Sequence, residues 1–254
     1  MNNSVFTNAG ASLSFNFTRQ ASRILEKPFP ALWTKIASNL RMPFDPEAQI
    51  YLEYDGYTNE TVKQADVILL GYPLNIEMSQ QIKENNLKFY AQHTDPQGPA
   101  MTWGMFCINS LQTNPTDLNS ANNFFQRSYI PNLNGPFLVW SEVAGGAGGG
   151  HFITGTGSFL QALLNGFGSL LLTEQGLSIN NPILPSNTSF LRFRGIDFRG
   201  HSLNIYYDQS VLEITETSNL LSALSIRTAS GDILSLGSDR LTFALKSDFP
   251  LLIY

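Results

Sequence analysis

The sequence predicts a mainly α-helical region followed by a small antiparallel β region, on three observations. Apolar residues recur at helical spacing through residues 1–173, Pro- and Gly-rich loops separate those runs, and after Thr173 short stretches of alternating side chains take over. Two domains are therefore expected, 1–173 helical and 174–254 β.

The first helix is expected from Thr7 to Glu26, where Leu13, Phe17, Ala21, Ile24 and Leu25 fall on one side and Pro28 and Pro30 end the run. A second covers Ala31 to Leu40 and carries Leu32, Trp33 and Ile36. After the loop of residues 41–58, helical patterning predicts further helices over Glu60–Leu70, Ile76–Tyr90, Ala100–Leu111 and Leu118–Tyr129. A last helix is expected from Gly155 to Leu172, just after the run Gly145-Gly146-Ala147-Gly148-Gly149-Gly150. Helical signal resumes directly behind that run, so it reads as a loop over a site rather than a linker. Strands are expected at 189–193, 203–207, 211–214, 224–226 and 241–245, with Asp, Asn, Gly and Ser between them. No internal repeat is apparent.

Composition narrows the function. The 254 residues are 43% hydrophobic, enough for real cores, and only 14% charged, against about 25% in ordinary soluble domains. Net charge is −5 and the basic residues are scattered, which argues against a nucleic-acid or anionic-membrane partner. No run approaches the length of a membrane span, and MNNSVFTNAG does not read as a signal peptide. Sequons begin at Asn2, Asn16, Asn59 and Asn187, a motif too common to establish secretion. The single Cys107 excludes an internal disulfide and reads as a buried thiol. With one Cys and three scattered His (93, 151 and 201), no metal-ligand spacing appears. There is no phosphate-cradling Gly-x-x-x-x-Gly-Lys loop and no Gly-x-Ser-x-Gly elbow, so no metal or other cofactor is expected.

Four segments carry more specific information: Asn2–Ala9 (NNSVFTNA), Glu53–Tyr57 (EYDGY), Val62–Pro73 (VKQADVILLGYP) and Phe152–Gln161 (FITGTGSFLQ). In this order and spacing they resemble glycoside hydrolase family 65, the acid-trehalase-like group. The nearest branch is the hydrolases that remove glucose from glucosylgalactosyl-hydroxylysine. The resemblance implies an (α/α)6 catalytic barrel followed by a small β-sheet domain. Fewer helices are readable here than a closed barrel needs, so the chain is expected to be the second, carboxy-terminal half of one. The family's general acid lies in a Pro-Asp-Glu-Tyr segment, and none occurs in this sequence.

Inverting glycosidases use one carboxylic acid on the leaving oxygen and one carboxylate to activate water on the opposite face of the sugar. Glu142, after Phe137-Leu138-Val139-Trp140 and before the glycine run, is the candidate base, and Trp140 offers an aromatic surface for a pyranose. By position alone Glu142 reads rather as a loop-edge carboxylate; the resemblance implies the base, because hydrolytic members place a glutamate after a similar Val-Trp-x. Lys63 and Gln64 read locally as a solvated helix face, whereas the resemblance implies that they hydrogen-bond the hydroxyls of the released glucose. Glu53 and Asp55, beside Tyr54 and Tyr57, suit sugar hydroxyls or a cation, or are ordinary loop acids. Tyr51-Leu52 stands where the family usually has His-Pro, which puts the local loop shape in question.

The resemblance therefore implies an inverting exo-glucosidase acting on an α-glucoside such as glucosylgalactosyl-hydroxylysine or trehalose, with this chain alone lacking the acid. Two alternatives stay open. The chain binds glycans without cleaving them, or completes a partner that carries the missing half of the barrel. Alternatively it derives from a phosphorolytic member, whose phosphate-binding pattern His151, Thr154 and Ser158 loosely imitate. Glu142 favours hydrolysis, since phosphorolysis needs no water-activating carboxylate. A cytoplasmic location is the expectation, any targeting segment falling upstream of Met1.

Overall fold

The computed structural model describes residues 2–254 apart from 147, 219, 221, 238, 239 and 246. Met1 and Ala147, which figure in the sequence reading, lie outside the described residues. The chain divides into two compact units, Met1–Phe159 and Leu160–Tyr254. Helices come first and antiparallel sheets second.

The first unit holds α1 (Val5–Ile24), α2 (Ala31–Asn39), α3 (Gln80–His93), α4 (Thr102–Thr113) and α5 (Leu118–Arg127), and most of α6 (Ile153–Gln161). Side chains set several starts by satisfying orphan N–H groups. Ser4 accepts from the Thr7 N–H at 3.4 Å, Ser79 from Ile82 at 3.3 Å and Asp117 from Ser120 at 3.1 Å. The core gathers Val5 and Ala9 of α1, Tyr90 of α3, Trp103 and Phe106 of α4, and Val67, Ile68 and Leu70 between them. Two short hairpins, β1 (Phe44–Asp45) with β2 (Ile50–Tyr51) and β3 (Leu133–Asn134) with β4 (Val139–Trp140), fill loops that were not expected to pair.

One expected helix is corrected. Of Glu60–Leu70, only Asp66–Leu70 turns, as a 3₁₀ segment, and Ala65 is extended. The β-branched Val62 lies alongside Thr94 instead: its N–H donates to the His93 carbonyl and its carbonyl accepts from the Asp95 N–H, both at 2.8 Å. Lys63 and Gln64 therefore sit on an irregular, bent strap rather than on a helix face. The last expected helix also ends early. After Gln161 it widens into a π-helical turn over 162–167, and Leu170–Leu172 is the edge strand of a sheet.

In the second unit, β5 (Leu170–Leu172), β6 (Leu177–Ile179), β10 (Leu224–Arg227), β11 (Ile233–Leu236) and β13 (Leu251–Ile253) form a five-stranded sheet in the order β11-β10-β13-β6-β5. A four-stranded sheet runs β12 (Leu241–Ala244), β9 (Val211–Glu216), β8 (His201–Tyr207), β7 (Leu191–Phe198). All pairings are antiparallel. Alternation is clean in β8, where Leu203, Ile205 and Tyr207 are buried and Ser202, Asn204 and Tyr206 face outward. The buried set packs with Leu212 and Ile214 of β9 and with Ile179, Ile226 and Ile253 of the other sheet into one apolar core.

Candidate active site

Glu142 follows β4, and backbone bonds on both sides fix it. Its N–H donates to the Gly149 carbonyl, and its carbonyl accepts from the Ala100 N–H, each at 2.9 Å. Ser141 before it is buried and bridges to Gly150, with its hydroxyl tied to Val143 and Asn132. The glycine run thus folds back over the carboxylate. Gly149 donates its N–H to Oε2 at 3.4 Å, and Gly148, at φ +76°, approaches so closely that a Cβ there would stand 3.0 Å from the Glu142 Cβ. The far side of the carboxylate faces Lys63, with Nζ 3.5 Å from Oε1. The Glu142 side chain is partly open and Lys63 more so, so the pair meets solvent. A carboxylate held by one N–H and one ammonium, with room for water beside it, can accept a proton.

Gln64, the next residue of the strap, donates its amide to Asp66 at 3.0 Å. Glu53 is buried and accepts from the Val67 N–H at 3.2 Å, capping the 3₁₀ turn. Burial pushes its carboxyl up to about 8, partly offset by that backbone bond, while the nearby Asp66 charge raises it further. Asp55 is held elsewhere, by Arg41 at 3.0 Å and the Asn3 amide at 2.6 Å, and no contact joins it to Glu142. Trp140 lies two positions before the candidate base in sequence but packs against Phe159 and over Gly155, where a Cβ would come within 2.7 Å of its indole nitrogen. That nitrogen is buried without a hydrogen-bond partner. Cys107 is buried in α4, and burial raises its thiol, which removes it as a nucleophile.

Comparison with known proteins follows the same lines. No family model matches the chain. It is 42% identical to protein-glucosylgalactosylhydroxylysine glucosidase of Danio rerio over 80% of its own length and 31% of the relative's. It is 34% identical to kojibiose hydrolase of Mucilaginibacter mallensis over 77% of its length and 29% of that protein's. The structure matches that of a putative kojibiose phosphorylase from human microbiome with a TM-score of 0.72, at 18% identity, across 95% of this chain and 37% of the other. Over most of its own length the chain is similar to these glucoside hydrolases. It spans 31% of the length of the first curated relatives it matches, and the structural likeness at 18% identity bears on fold alone.

The three residues that loosely imitate a phosphate-binding pattern differ in exposure. Ser158 is buried and donates its hydroxyl to the Met101 carbonyl at 2.6 Å, so it packs α6 onto α4, while His151 and Thr154 are exposed. Sequence reasoning missed Gly149 as a donor to Glu142 and Gly98 as the residue that lets the Lys63 carbonyl approach, since a Cβ at 98 would collide with it. A lone glycine carries no sequence signal for such contacts. Among the described residues no three His, Cys, Asp or Glu side chains gather as a metal site, and no helix is long and apolar enough to cross a membrane.

Proposed function

We propose that this chain carries the water-activating half of an inverting glucosidase site, with Glu142 as general base. The observation that supports it is the Glu142 carboxylate set between Lys63 and the Gly149 N–H. The backbone donor and the Lys ammonium hold the carboxylate in place, and the ammonium has spare protons for sugar hydroxyls. Lys63 and Gln64 are adjacent on the strap, so a glucose held by them lies beside Glu142. Glu53, fixed under the 3₁₀ turn, shapes the same floor. Asp55 is assigned to shaping the loop through Arg41.

No Pro-Asp-Glu-Tyr segment occurs among the 254 residues, so the general acid comes from outside this sequence. In this reading, the helices of the first unit form part of an (α/α)6 barrel, and the remaining helices, supplied upstream or by a partner, bring the acid. The substrate class is an α-glucoside, glucosylgalactosyl-hydroxylysine first, then kojibiose or trehalose, in line with the names of the relatives. The buried Ser158 and the presence of Glu142 weigh against phosphorolysis.

The test is complementation. The chain is co-expressed with the amino-terminal remainder of the Danio rerio relative, and the anomer released from kojibiose is followed by proton NMR. Release of β-glucose first, abolished by Glu142→Gln, is the expected result. Release of α-glucose first, or activity unchanged in Glu142→Gln, sinks the assignment.

A further inference from the structure

The four-stranded sheet of the second unit has an outer face that the proposed reaction does not use. β7 places Arg192 and Arg194 on it, β8 Asn204 and Tyr206, β9 Glu213 and Thr215, and Arg240 enters just before β12. Together they line an open depression of about 370 Å³. Across the sheet Arg192 pairs with Tyr206, and Tyr206 with Glu213, so cation, ring and carboxylate stand in one row.

Two features show that this row is shaped rather than merely charged. The ladder between β7 and β8 slips between Phe193 and Ile196, and Gly195, at φ +67°, donates its N–H to the Asn204 side chain at 3.1 Å. That bulge keeps Arg192 and Arg194 exposed while Phe193 packs toward the core. The guanidiniums are also unequally engaged. Arg240 pairs with Glu213 at 3.1 Å and Arg192 lies 5.4 Å from the Tyr206 ring centroid, but among the described residues Arg194 has no hydrogen-bond or ion-pair partner. Three cations against one carboxylate make this depression locally positive on a chain of net charge −5.

We propose that this face binds an acidic saccharide, one carboxylate or sulfate group seated on Arg192 and Arg194 and its hydroxyls on Asn204, Thr215 and Glu213. Planar guanidinium forks match two-oxygen anions, and Asn, Thr and Glu supply the mixed donors and acceptors that hydroxyls require. The Glu213 carboxylate at the end of the row admits a ligand with one anionic group and repels a dense polyanion. This separates the saccharide from a nucleic-acid strand. The site is distinct from Glu142 and does not depend on that residue's role.

The experiment is calorimetric titration of the full chain with a glucuronate disaccharide, glucose 6-sulfate, a neutral gluco-disaccharide, inorganic sulfate and a single-stranded oligonucleotide. The acidic sugars should bind in the millimolar range or tighter, and the uronate and sulfate arms identify the preferred anion. The double variant Arg192→Gln/Arg194→Gln should weaken that binding about tenfold or more, since each guanidinium contributes charge-assisted bonds. Both positions are exposed, so an unchanged thermal midpoint reports an intact fold; Asn204→Ala, which also frees the bulge, gives a second, independent loss. Equal binding of the neutral sugar, equal binding of inorganic sulfate, stronger binding of the oligonucleotide, or no effect of the double variant overturns the proposal.

Discussion

Among the described carboxyl groups, Glu53 departs furthest from its free state. It is 7% exposed and its carboxyl is raised from 4.5 to about 8, chiefly by desolvation. Between those two values the folded chain holds a proton that the unfolded chain has released, so unfolding becomes easier as pH rises. Stability should fall from about pH 4.5 to about 8 and then level, by on the order of 5 kcal/mol if the whole shift is expressed. Glu53→Gln keeps an acceptor for the Val67 N–H and removes the charge. Thermal melts of this variant should be flat over that range and exceed the wild type at pH 8; parallel curves would show that Glu53 ionises freely. Lys63 makes the opposite case. Its pair with Glu142 is exposed, and such pairs contribute about 0–1 kcal/mol, so Lys63→Met should leave the melting temperature nearly unchanged. Glucose affinity, followed by tryptophan fluorescence, should nevertheless drop about tenfold through loss of a charged donor. A large loss of stability with unchanged affinity would mark Lys63 as structural.

At the scale of elements, the glycine run and the strap decide the site, and they differ in how legible they were. The run's position after Val139-Trp140-Ser141-Glu142 announced a loop over something, and Gly148 and Gly149 do close on Glu142. The strap was misread because residues 60–70 carry an apolar spacing that fits a helix. Its first half is instead claimed by a long-range bridge to Thr94 that no local pattern reports. Helices such as α1 and α5 were legible because their apolar periodicity lies within the segment. The hairpins β1–β2 and β3–β4 were not, since two-residue strands show no alternation. Two alanine substitutions test the run. At Gly148 a side chain meets both a positive φ and the Glu142 Cβ, so Gly148→Ala should cost about 1–3 kcal/mol and displace the carboxylate. At Gly150 a Cβ has open space around it, so Gly150→Ala should be neutral within about 0.5 kcal/mol. Equal melting temperatures and equal glucose affinities for the two variants would dissolve the idea that the loop positions Glu142.

The whole molecule shows an imbalance between its ends. Residues of the β unit bury a continuous apolar core, whereas α1 buries only Val5 and Ala9 and α2 buries nothing. Phe17, Ile24, Leu25 and Leu32 are each more than 60% exposed, and Trp33 and Ile36 more than a third. Large apolar side chains exposed on two packed helices can receive partner surface. It fits the proposal that further helices complete a barrel against this side. The chain by itself should therefore self-associate as concentration rises, detectable by sedimentation velocity. The triple variant Phe17→Gln/Leu25→Gln/Leu32→Gln should suppress association. Because these side chains are already in water, the change in stability should stay within about 1 kcal/mol. If the wild-type chain instead sediments as a monomer at all concentrations, and the triple variant melts several degrees lower, the α1–α2 face is packed in solution. The proposed seat for the missing helices would then be lost.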